Sequence, residues 1–134
     1  MRALLDTNIL ISSSELDEEM PFLDDFSALQ VSALTWAELF KGLHTTTRLD
    51  EYKVRGARLS ALQTTFGVGI PFDDACADAY DKILMRVAAA GSSARAHVID
   101  RMLAATALAH GLVLITRDLD AFAGLDELIR IERR

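Results

Sequence analysis

Short apolar runs alternate with segments of helical length along this chain, and that alternation restricts the fold more than any other feature. The clearest case is Val98 to His110, an apolar helix-like segment closed by Gly111 and followed at once by the strand-like run Leu112 to Ile115. Leu4-Leu5 opens the chain as a first strand, and a helical region follows that is interrupted before Pro21. Gln30 to Ala33 reads as a second short strand. Thr35 then caps a helix whose Trp36, Leu39, Phe40 and Leu43 recur at i, i+3, i+4, i+7. A polar helix covers roughly Leu49 to Thr64, Gly67 to Pro71 reads as a strand, and Asp73-Asp74 opens a helix that runs towards Ala90 and stops at Gly91. Leu128 to Ile131 is the last candidate strand. Strands alternating with helices give an α/β fold with a parallel sheet covered on both faces. With no internal repeat, low-complexity tract or long linker, residues 1–134 are expected to form a single domain.

In an open sheet of this class, ligands bind beyond the carboxyl ends of the strands, where the strand order reverses. Four acidic residues fall where such ends are expected. Asp6 closes Ala3-Leu4-Leu5, and Asp118 comes two residues after Val113 to Thr116. Glu38 and Asp100 each lie near the start of a helical segment. Carboxylates gathered at one place suit a hard divalent cation, Mg²⁺ or Mn²⁺, and hence metal-assisted phosphoryl chemistry. Each acid also has an ordinary structural reading. Asp6 before Thr7-Asn8 can cap a helix, Glu38 lies opposite the apolar stripe of its helix, and Asp118 suits a turn. Asp100 can be a first-turn acid favoured by the helix dipole. Its helix is apolar almost all round, however, so a carboxylate leaving that surface needs a partner or a cation.

The remaining chemistry is narrow. Cys76 is the sole cysteine, which rules out an internal disulfide and a Cys-rich zinc centre, and fits a cytoplasmic location. His44, His97 and His110 form no common motif. The first charged residues come too early for a signal peptide, and the longest uncharged stretch, Met102 to Thr116, is shorter than the roughly 20 apolar residues of a membrane span. A net charge of −6 does not advertise nucleic-acid binding. Any such role needs a local basic rim, for which Arg95, Arg101 and Arg117 beside the acids are candidates. A second basic group, Lys41, His44, Arg48, Lys53, Arg55 and Arg58, either lines a groove or faces solvent. The apolar residues Leu16, Met20, Phe22, Leu23 and Phe26 exceed what one core needs and suggest a homodimer or other oligomer.

Leu4-Leu5-Asp6-Thr7-Asn8 resembles the opening signature of PIN-domain nucleases. Thr35-Trp36-Ala37-Glu38-Leu39-Phe40-Lys41-Gly42 resembles their second block, Ile99-Asp100 with its Ala-rich helix the third, and Leu114-Ile115-Thr116-Arg117-Asp118 the fourth. In order, spacing and size the chain is similar to VapC-like toxins of toxin–antitoxin pairs. The resemblance implies a three-layer α/β/α fold with a central, mostly parallel sheet of four to five strands. It implies Mg²⁺-dependent endoribonuclease activity, with Mn²⁺ as an alternative ion. It also implies a VapB-like antitoxin partner that blocks the site in a hetero-oligomer. Carried over by residue, Asp6, Glu38, Asp100 and Asp118 become the metal-site acids, and Asn8 and Thr116 supporting groups. Many relatives have Asp-Phe after the fourth block where this chain has Ala121-Phe122, and its acid comes earlier, at Asp120. The supporting role is thus open between Asp118 and Asp120. A receiver domain is disfavoured because no Lys follows Lys82, and a haloacid-type phosphatase because Asp6-Thr7-Asn8 lacks the second acid. A catalytically silent module that docks RNA or a peptide is the alternative to an enzyme.

Overall fold

The computed structural model describes residues 1–15 and 23–134. Four strands form one parallel sheet in the order β2-β1-β3-β4, with β1 at Arg2–Leu5, β2 at Ala28–Gln30, β3 at Val113–Thr116 and β4 at Ile131–Arg133. From β1 the chain moves outwards to β2, returns to place β3 on the other side of β1, and adds β4 beyond it. The reversal of strand order therefore lies between β1 and β3, whose register pairs Leu4 with Leu114 and Leu5 with Ile115.

Strand side chains alternate between faces, so each central strand feeds two cores. Leu4 and Leu114 point to one side, where α4 (Asp74–Ala89) and α5 (Val98–His110) supply Ile83, Val87, Ala104 and Ala107. Ala3, Leu5, Val113 and Ile115 point to the other. There α1 (Thr7–Glu15), α2 (Ala33–His44) and α3 (Leu49–Phe66) supply Ile9, Leu10, Trp36 and Leu59. The result is the expected three-layer α/β/α arrangement. Leu23 and Phe26 join the second core, which accounts for part of the early apolar segment; Leu16, Met20, Pro21 and Phe22 lie outside the described residues. No helix among the described residues is long and apolar enough to cross a membrane.

Several element boundaries differ from those expected, each for a local reason. Strand β2 begins and ends earlier than Gln30 to Ala33, because Ser32 leaves the ladder to cap α2: its Oγ accepts Leu34 N–H at 3.0 Å. Thr35 is therefore not the cap. It is fully buried, and its hydroxyl lies 3.2 Å from that of Thr7. Phe40, assigned to the buried stripe of α2, is exposed, and Trp36 is the one member of that stripe that is buried. Gly67 to Pro71 forms no strand, only a bridge between Ile70 and Ser32. The last strand starts at Ile131, since Leu128 and Ile129 are held in a turn by N–H bonds to Leu125 O. The two glycine helix stops are as expected: Gly111 caps α5 at φ 63°, and Gly91 follows α4 at φ 76°.

Gly69 sits where the Ile70–Ser32 bridge presses two backbones together. A Cβ there would lie 2.6 Å from Ala33 N and 2.9 Å from Ser32 C. Backbone cannot yield as a side chain does, so Gly69→Ala is expected to cost about 1–3 kcal/mol. In the interior of α2, Gly42 has open space around it, and Gly42→Ala is expected to add about 0.5–1 kcal/mol. Urea melts of the two variants against wild type test both signs; an unaffected Gly69→Ala would contradict the close approach.

Candidate functional site

Asp6 is the first residue beyond β1, and it continues the ladder: its N–H donates to Ile115 O at 2.8 Å. Its side chain is buried, with 4% exposure. One oxygen accepts Thr7 N–H and the other the Thr116 hydroxyl, both at 2.8 Å. Thr116 ends β3, and its Oγ1 also accepts Asp118 N–H at 3.0 Å. A single hydroxyl thus ties the acid after β1 to the turn after β3. Asn8, in the first turn of α1, accepts Arg117 N–H through Oδ1 at 3.3 Å and fixes the same turn from the other side.

Glu38 comes from α2 and Asp100 from the first turn of α5. Glu38 Oε1 accepts the Thr7 hydroxyl at 2.8 Å. Asp100 Oδ2 lies 3.6 Å from His97 Nδ1, across one helical turn. The side chains of Asp6, Asn8, Glu38, Asp100 and Asp118 line one open cavity of about 230 Å³. All four acids singled out in the sequence therefore meet at the strand reversal, although they come from four separate parts of the fold. They surround the cavity rather than close on a point: among the described residues, no three of these carboxylates have oxygens all within 4.8 Å of one another. That width suits a cation that keeps several of its own waters, as Mg²⁺ does.

Other positions fall differently. Asp120 does not line the cavity; it is exposed in the short 3₁₀ turn Leu119–Phe122, and its N–H donates to Asp118 Oδ1 at 3.1 Å. The wall beside Asp118 is instead Ala121. Of the candidate basic rim, Arg95 is exposed and Arg117 half-buried. Arg101 departs from expectation. It is 7% exposed, and its Nη1 donates to Ser93 O and Ala96 O at 2.5 and 2.7 Å, so it braces the turn before α5 instead of facing a phosphate. Sequence reasoning gave no role to Thr7 and misread Thr35. Their signal was present in the spacing, since Thr35 stands one helical turn before Glu38 and Thr7 directly follows Asp6.

The PIN domain family model matches residues 3–128. The chain belongs to the PIN-domain family. Its fold is similar to VapBC-5, a member of the VapBC family of toxin–antitoxin systems from Mycobacterium tuberculosis, with a TM-score of 0.78 and 26% identity over 98% of this chain and 96% of that one. FitAcB from Neisseria gonorrhoeae gives a TM-score of 0.76 and 31% identity over 98% and 96%. DNA-bound VapBC from Salmonella typhimurium shares the fold at a TM-score of 0.79 and 24% identity, over 99% and 98%. Among curated proteins, none matches this sequence.

In this PIN domain the acids carry an electrostatic cost. Burial pushes the Asp6 carboxyl up to about 6, with the Asp100 and Glu38 charges adding to the rise and the Thr116 and Thr7 hydrogen bonds opposing it. Burial also raises Asp100, aided by Asp118 and opposed by His97. A carboxyl whose folded-state pKa exceeds its unfolded value holds its proton more tightly in the native state. Its contribution to stability is complete below pH about 4 and is lost as pH rises through about 6. With chelator present, the stability of wild type relative to Asp6→Asn should therefore fall between pH 4 and 7, by on the order of 2–3 kcal/mol. Urea melts across that range measure it. A pH-independent difference would mean that Asp6 ionises as an ordinary surface carboxyl.

Proposed function

We propose that this PIN domain is a metal-dependent endoribonuclease and the toxin of a toxin–antitoxin pair. The observation that carries the reading is the convergence of four carboxylates, from four elements, on one cavity beyond β1 and β3. The donors are all carboxylate oxygens with no nitrogen or thiol among them, the set that hard cations prefer. Burial, with smaller contributions from the neighbouring carboxylates, raises Asp6 and Asp100, and a divalent cation bound beside them would favour their charged forms. Asp6, Glu38, Asp100 and Asp118 are the residues that would hold Mg²⁺ or Mn²⁺. Such an ion supplies Lewis acidity and an activated water for phosphodiester hydrolysis.

The chain's own groups set the geometry. Thr7 N–H and the Thr116 hydroxyl fix the two oxygens of Asp6, and the Thr7 hydroxyl fixes one oxygen of Glu38, so both carboxylates are held in a defined orientation. Asn8 and the Thr116 hydroxyl hold the 116–118 turn. Arg101 locks the turn that leads into Asp100. Preset ligands of this kind need little rearrangement as charge develops on the scissile phosphate. Arg95 and Arg117, near Asp100 and Asp118 in sequence, are the cations that would meet RNA phosphates.

Asp6→Asn, Glu38→Gln and Asp100→Asn should each reduce cleavage of single-stranded RNA by roughly 10²-fold or more, and chelator should abolish it in wild type. The product should carry a 5′-phosphate. Near-normal cleavage by any two of these variants would remove the assignment, and RNA binding without metal-dependent cleavage would favour the silent binding module.

A groove of about 300 Å³ adjoins the acid cavity and shares Thr7, Ile11 and Glu38 with it. Its floor is Leu39, Leu43, Leu59 and Leu62, and Arg55 and Arg58 stand at its wall. Apolar lining that leads to clustered carboxylates suits an antitoxin segment with apolar anchors and an arginine, the guanidinium pairing with the acids in place of metal. VapBC-5, similar to this chain along nearly its whole length, is a toxin–antitoxin system. The product of a small reading frame beside this gene should co-purify with the protein and inhibit it. Leu39→Glu, which charges the groove floor, should weaken that binding roughly tenfold or more while circular dichroism stays unchanged. Undiminished binding would place the antitoxin elsewhere.

A further inference from the structure

At the far end of α5 a different set of ligands comes together. Asp73, Cys76 and His110 each offer one ligand atom, and these atoms all lie within 4.8 Å of one another. They are well removed from the carboxylate cavity: Asp100 opens α5 and His110 ends it, a span of about 15 Å at about 1.5 Å per residue. The reaction proposed above uses none of the three.

The local structure presents the three groups together. Asp73 caps α4, its Oδ1 accepting Cys76 N–H at 3.1 Å, so the carboxylate stands over the first turn. Cys76 lies one turn on, fully buried, with its Sγ 3.8 Å from Pro71 O. His110 comes from the last turn of α5, which packs along α4. Its Nε2 is buried and has no hydrogen-bond partner among the described residues. A buried imidazole nitrogen facing nothing is costly unless something satisfies it. The Asp73 carboxylate lies within 4.8 Å of the imidazole, and the His110 charge is among the lesser influences that lower the Asp73 carboxyl, but the pair makes no hydrogen bond that satisfies Nε2.

We propose that Asp73, Cys76 and His110 form a second cation site, for a thiophilic divalent ion of the Zn²⁺ class. A thiolate, an imidazole and a carboxylate are the ligand types that Zn²⁺ takes in tetrahedral sites, and a thiolate is a poor ligand for Mg²⁺. Zn–S bonds of about 2.3 Å and Zn–N bonds of about 2.0–2.1 Å put neighbouring ligand atoms about 3.5 Å apart. Asp73 is exposed and its cap bond uses only Oδ1, so a small shift of the carboxylate brings Oδ2 to the ion with the cap kept, and water completes the fourth position. The Cys76 thiol loses its proton to solvent on binding, so affinity rises with pH. An ion there ties the start of α4 to the end of α5 and staples one helical layer without touching the nuclease site.

Co²⁺ is the probe, because thiolate-to-cobalt charge transfer can arise in this chain only from Cys76, its sole cysteine. With excess Mg²⁺ present, titration of the whole protein should give a near-ultraviolet charge-transfer band that saturates at one Co²⁺, and Zn²⁺ should bleach it. Cys76→Ser should abolish the band. His110→Gln, and Asp73→Asn which keeps the helix cap, should each weaken Co²⁺ binding roughly tenfold or more, as loss of a direct ligand must exceed loss of an outer-shell partner. Asp100→Asn, inactive in RNA cleavage under the reading above, should keep the band, which separates the two sites. No band with the folded wild type at millimolar Co²⁺ overturns the proposal. So does a Co²⁺ affinity unchanged by His110→Gln, which decides the matter even if the cysteine variant does not fold.

Discussion

The pairing of β1 with β3 is the interaction on which the site depends. The ladder sets Leu5 opposite Ile115 and then runs one step further, through Asp6 N–H to Ile115 O. That step fixes the backbone of Asp6, and the Thr116 hydroxyl fixes its side chain. Slippage of this register by one residue would exchange the faces of every side chain on the strand and take Asp6 out of reach of Thr116. The two apolar layers enforce the register, because Leu4 and Leu114 belong to one core while Leu5 and Ile115 belong to the other. Packing on both sides of the sheet is thus the means by which the carboxylate is aimed.

The sheet was legible where sequence signals are strong. Leu112 to Ile115 after Gly111, and the apolar opening of the chain, announce the two central strands, and from these the position of Asp6 and Asp118 follows. The edges were less legible. Strands β2 and β4 are short, half-buried and made of residues that also suit turns, so their limits depend on which neighbour takes each hydrogen bond. Ser32 illustrates this: its hydroxyl makes it a helix cap, and no local pattern separates it from Thr35, whose hydroxyl is spent on Thr7.

Charge was the hardest property to read. Arg101 and Arg95 look alike on paper, both basic and both near Asp100. Two backbone carbonyls draw Arg101 inwards, and nothing in the local sequence discloses that Ser93 and Ala96 turn their carbonyls towards it. Asp120 and Asp118 are equally alike, and the 3₁₀ turn decides between them by pointing one into the cavity and leaving the other in solvent. Asp73, Cys76 and His110 left no recognisable spacing, since the third ligand comes from a helix that only the packing of the second layer brings close.

The bond between Thr116 and Asp6 joins residues 110 positions apart. Contacts of such sequence separation form late, because a long loop must close before they bring any gain. Synthesis at about 5–20 residues per second separates the two partners by on the order of ten seconds on the ribosome. For more than half of that interval, between the addition of Glu38 and that of Asp100, Asp6 and Glu38 have been made but Asp100, Thr116 and Asp118 have not. A nascent chain therefore holds half of its carboxylates with no frame to gather them, and the cavity comes into being only as β3 slots in beside β1. For a protein whose cavity would act on RNA, the order of the strands delays assembly of that cavity until most of the chain has left the machine that made it.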